Sequence, residues 1–86
     1  MLGGYVGTYR LDVEIKVTIA RSADHLTVQV TGQPAFPIFP EGPRDFFLKV
    51  VDAQITFVAD ANGRATQLVL HQAGRDEPAK RLAPTP

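Results

Sequence analysis

The 86-residue chain contains no cysteine and no tryptophan, a single serine and two histidines. Without cysteine there are no disulfide staples, no thiolate metal ligands and no redox chemistry at sulfur. With so few serines and histidines, most schemes pairing a nucleophile with a base lack parts. Net charge is missing too, because nine Lys and Arg balance nine Asp and Glu. A polyanion binder normally carries a basic footprint, so nucleic acid is not an expected partner. No apolar run approaches the ~20 residues of a membrane helix, and no membrane partner is expected. Met1-Leu2-Gly3-Gly4 leads into Tyr5 without the basic and apolar regions of a secretory leader. A chain complete as it stands is therefore expected to stay in the cytoplasm. Neither a cofactor nor a metal is expected.

What the chain does have is alternation. Hydrophobic residues make up 44% of it, a share that supports a core in one small domain. That domain is expected over residues 1–82, with residues 83–86 as a frayed tail. Val13, Ile15, Val17 and Ile19 alternate with polar residues, as do Leu26, Val28 and Val30 beyond a turn at Ser22-Ala23-Asp24. Ile55 and Phe57, then Leu68 and Leu70, repeat the pattern on either side of Asp60-Ala61-Asn62-Gly63, whose Asn-Gly suits positive φ. A further turn is expected over Ala73-Gly74-Arg75-Asp76, and a last strand over Glu77 to Leu82. Tyr9–Asp12, Phe36–Pro40 and the dense stretch from Phe46 to Val51 complete the set, although pattern alone does not choose the inward face of that stretch. Period-2 runs with short connections predict an all-β fold: a small antiparallel up-and-down β-barrel of about eight short strands. The inward residues are bulky, so a filled interior is expected.

Few residues invite a chemical role. Pro34, Pro37, Pro40 and Pro43 fall every third residue, the spacing of one polyproline II face, but an edge strand or loop explains them better. Asp60 to Gly63 lacks the further acidic ligands of a calcium loop. Ser22, Asp24 and His25 are too close along one turn to form a catalytic triad. His71 is expected on an outward face, facing a partner or solvent. Tyr5 and Tyr9 are placed on one side of a turn that plugs a barrel end. Arg75, Asp76, Glu77, Lys80 and Arg81 mix signs and predict a solvated strand and turn.

Several segments in order carry a family likeness: Tyr5-Val6-Gly7-Thr8-Tyr9, Gly32-Gln33-Pro34, Phe36-Pro37-Ile38-Phe39-Pro40, Phe46-Phe47, Ile55-Thr56-Phe57, Leu68-Val69-Leu70-His71-Gln72 with Gly74, and Pro78-Ala79-Lys80-Arg81. Together they resemble the C-terminal domain of uncharacterised function that follows the catalytic domain of many beta-lactamase and penicillin-binding-protein-like serine hydrolases. The resemblance implies a lipocalin-like barrel, appended to an enzyme and not itself catalytic. The Ser-x-x-Lys of those hydrolases does not occur in this chain. The expected function is that of an accessory or interaction domain. It would pack on a serine hydrolase catalytic domain, or on its own copy, through exposed strand edges and loops. The alternative is a lipocalin-like binder of a small apolar ligand. Phe36, Phe39, Phe46, Phe47 and His71 are the expected ligand or partner contacts, with Phe57 as further lining for a ligand.

Overall fold

Strands form where apolar and polar residues alternate. They are β1 (Gly7–Arg10), β2 (Lys16–Ser22), β3 (His25–Val30), β4 (Phe36–Pro40), β5 (Asp45–Phe47), β6 (Ala53–Ala59), β7 (Ala65–Gln72) and β8 (Arg75–Arg81). The computed structural model describes residues 4–42, 44–49 and 52–82. Pro43, Val50, Val51 and the expected tail at 83–86 lie outside the described residues, as do Met1 to Gly3. Each strand pairs antiparallel with the next, and β1 returns to β8, so the sheet closes into an eight-stranded up-and-down barrel. The described residues contain no α-helix.

The interior is filled with side chains. Val17, Ile19, Leu26, Ile38, Ile55, Phe57, Leu68 and Ala79 are each at most 1% exposed. Each of the larger ones contributes about 1.5–3 kcal/mol through burial. Phe46 is the inward residue of β5, settling the face that its apolar neighbours obscured. One end is plugged by aromatic rings: Tyr5 stacks on Phe57 at 4.3 Å, and Phe46 stands edge-on to both. Tyr9, fully buried, donates its hydroxyl proton to the Tyr5 carbonyl at 2.8 Å. Tyr5 precedes β1 and Tyr9 lies within it, so the pair is not confined to a turn as expected, and both rings are buried in the core.

Arg81 holds this plug in place. Its guanidinium donates to the carbonyls of Gly4, Val6 and Ala65 and lies 5.9 Å from the Tyr9 ring centroid. A Cβ at Gly7 would sit 2.9 Å from Arg81 Nε, and one at Gly4 would sit 2.6 Å from the Gly63 carbonyl. The incoming segment fits only because it lacks side chains at these two points. Arg81 is thus not part of a solvated surface strand, as its mixed-charge neighbourhood suggested.

Four other expectations are corrected. The first strand ends at Arg10, and residues 11–15 form the turn to β2, with Leu11 and Asp12 donating to the Ile15 carbonyl. Val13 is therefore 72% exposed and Ile15 38%, although their spacing matched the strand that follows. The Asp60–Gly63 turn is where it was expected, but only Gly63 takes positive φ. Asp60 Oδ1 accepts from the Asn62 and Arg64 amides, making a longer loop than a two-residue Asn-Gly turn. The next turn is shorter than expected: Ala73 and Gly74 alone, with φ of 54° and 76°, so Arg75 and Asp76 belong to β8. Finally, the strand expected within the stretch from Phe46 to Val51 is the short β5, which ends at Phe47.

The prolines fit this topology. Pro37 pairs with Thr27 on β3, while the β4–β5 pairing covers only Phe39 and Pro40. Pro78 pairs with Val69, while β1 reaches only Lys80 and Arg81. In both places the missing N–H falls where the other neighbour has ended.

Candidate functional site

Register brings together on the outer face residues that are far apart in sequence. Phe39 lies opposite Phe47, Phe47 opposite Gln54, Gln54 opposite His71, and His71 opposite Asp76. This row crosses five strands. At one end Phe39 and Phe47 are half-buried, their ring centroids 5.8 Å apart, with Lys49 Nζ 4.3 Å from the Phe39 centroid. Such a tilted pair with a cation over one face gains beyond its buried area.

At the other end lies a hydrogen-bonded relay. Thr56 Oγ1 donates to Asp45 Oδ1 at 2.7 Å, His71 Nε2 lies 2.8 Å from Thr56 Oγ1, and His71 Nδ1 lies 2.6 Å from Asp76 Oδ1. Each of β5, β6, β7 and β8 supplies one member. The relay is partly sheltered, the His71 side chain being 33% exposed and that of Asp76 74%. Surface recesses flank it. One of about 540 Å³ is lined by Arg44, Asp45, Thr56, Phe57 and Val58. Another, of about 210 Å³, brings Asp52, Gln54 and Arg75 beside His71 and Asp76.

The expected contact residues divide. Phe39, Phe47 and His71 share the outer face. Phe46 points inward, 3% exposed, with its ring against Tyr5 and Phe57. Phe36, opposite Val28, is half-buried and two residues from the inward Ile38. His71 does face outward, but it bonds on both ring nitrogens. Ser22 and His25 face each other across their hairpin, with His25 Nδ1 3.6 Å from Asp24, and no serine–histidine hydrogen bond forms among the described residues. The described residues also hold no group of three side chains able to bind a metal.

Asp45, Thr56 and Asp76 did not stand out in the sequence. In the sequence Thr56 is one of many polar strand residues, and the residues around Asp76 suggest a turn. The available signal was Ala73-Gly74: a two-residue turn there places residue 71 opposite residue 76. No curated protein and no solved structure matches the chain. Residues 1–82 match the family described as Domain of unknown function (DUF3471), and the chain, a small β-barrel, belongs to that family.

Proposed function

We propose that this barrel is a non-catalytic accessory domain that docks on a beta-lactamase-like serine hydrolase catalytic domain through the outer face of β4 to β8. The single observation that carries this reading is the register row from Phe39 to Asp76. Two half-buried aromatics sit beside an ordered polar cluster, the pairing of anchor and rim that interfaces use. The resemblance to hydrolase tail domains supports the choice of partner.

The test is size-exclusion chromatography with light scattering, on the chain alone and mixed with a serine hydrolase catalytic domain of that group. The expected result is a heavier complex that Phe47→Ser abolishes while circular dichroism stays unchanged. A monomer that ignores the hydrolase overturns the reading. A dimer of the chain alone, lost in Phe47→Ser, would move the occupant of the face to a second copy. A small apolar ligand inside the barrel is the alternative, and its signature is a ligand-dependent rise in melting temperature. That reading draws little support from an interior already occupied by Tyr5, Phe46 and Phe57.

A further inference from the structure

The relay has three contacts and a limited supply of protons. Both of its ends are carboxylates, which only accept when ionised. Thr56 has one hydroxyl proton, and it goes to Asp45. The other two contacts therefore each require a ring N–H: Nε2–H to Thr56 and Nδ1–H to Asp76. A neutral imidazole has only one.

We propose that the row Asp45–Thr56–His71–Asp76 is a proton-binding site, and that the bound proton fastens β5 to the rest of the barrel. All three contacts coexist only with both ring nitrogens protonated. When one proton leaves, the ring keeps Nδ1–H on Asp76. The Thr56 hydroxyl then has two acceptors within 2.8 Å, Asp45 Oδ1 and His71 Nε2, and can satisfy only one. Asp45 is the one released: its carboxylate is rehydrated in the recess that it lines, while β5 loses the cross-strand tie to Thr56.

The consequence falls on β5 because that strand is short. It spans Asp45–Phe47 and has two partner residues on β4 and three on β6. It also carries Phe46 inward and Phe47 outward, so its attachment governs the aromatic end of the outer row. The groups around the imidazole come from every neighbouring element. They are Asp45 from β5, Thr56 and the uncharged Gln54 from β6, Arg75 and Asp76 from β8, and Asp52 from the segment before β6. The site belongs to the barrel itself and does not depend on what docks there.

The test uses the full chain carrying His25→Gln, so that His71 is the only imidazole. Ring-nitrogen NMR and amide-exchange protection factors are followed from about pH 5 to pH 8, where imidazoles titrate. The expected result is a doubly protonated ring at the acid end. As the ring loses its proton, protection of the Asp45, Phe46 and Phe47 amides falls about tenfold, as expected for one lost bond to a charged group. The β2–β3 hairpin should not change. In Asp45→Asn, the new amide N–H donates to Thr56 and frees its hydroxyl for Nε2. The row is then complete with a single ring proton, and β5 protection should stay high across the range. In Thr56→Val, it should be low at every pH. The proposal is overturned if the ring titrates while β5 protection stays constant, or if Asp45→Asn keeps the pH dependence of its parent.

Discussion

Tyr9 shows how much one buried hydroxyl settles. Its ring is closed off from solvent, and its proton is held by the Tyr5 carbonyl. Burial raises its pKa above the ordinary 10.0; the Arg81 charge opposes the rise and Tyr5 adds to it. Below about pH 10 the phenol is protonated whether the chain is folded or not, so its contribution to stability is complete. Above that pH the unfolded chain ionises first, and stability is lost as pH rises towards the folded value. Urea unfolding should therefore show a fall above pH 10 that Tyr9→Phe flattens. At pH 7 the same variant should cost about 1–2 kcal/mol, through loss of the donor to Tyr5. A structural role for both tyrosines was legible from their spacing around Gly7. The partners of His71 were not, because a relay across four strands depends on register, and register depends on turn lengths that alternation does not fix.

The turns are where the elements departed from expectation. Val13 and Ile15 continue the alternation of Val17 and Ile19, yet the turn to β2 takes them out of the sheet. Hydrophobic pattern alone does not show where a strand stops. Ala73 has the opposite problem: it occupies a left-handed position that favours glycine, and nothing in its side chain announces that. Ala73→Gly should therefore stabilise the barrel by about 0.5–1 kcal/mol, after allowing for the greater freedom of glycine when unfolded. The check is a higher urea midpoint with an unchanged slope. Asp76 went unnoticed for the same reason, since its role appears only once the turn is known to be two residues long.

Across the whole molecule, the core depends on a few large rings. Phe57 touches Tyr5, Tyr9 and Phe46. Phe57→Ala should cost about 3–5 kcal/mol, a large share of the stability of a domain this small. Thermal unfolding followed by circular dichroism should show the melting temperature falling by at least ~12 °C, or no cooperative transition at all. Barrel class and half of the core were legible, because seven of the fourteen buried hydrophobic residues described are strand positions expected inside: Val17, Ile19, Leu26, Val28, Ile55, Phe57 and Leu68.

The seams between strands are uneven. The β4–β5 and β1–β8 pairings have two partner pairs each, against six or more for β2–β3, β6–β7 and β7–β8. Cutting the ring at those two seams leaves two sheets of four strands, β1 to β4 and β5 to β8. Every member of the relay falls in the second. The barrel is therefore mechanically lopsided: one half is laced crosswise by side chains, and the other rests more on backbone pairing and apolar packing. Forced or spontaneous opening should begin along the β4–β5 seam, since Arg81 ties β8 to Gly4 and Val6 beside the β1–β8 seam, and should leave the laced half as the last to come apart.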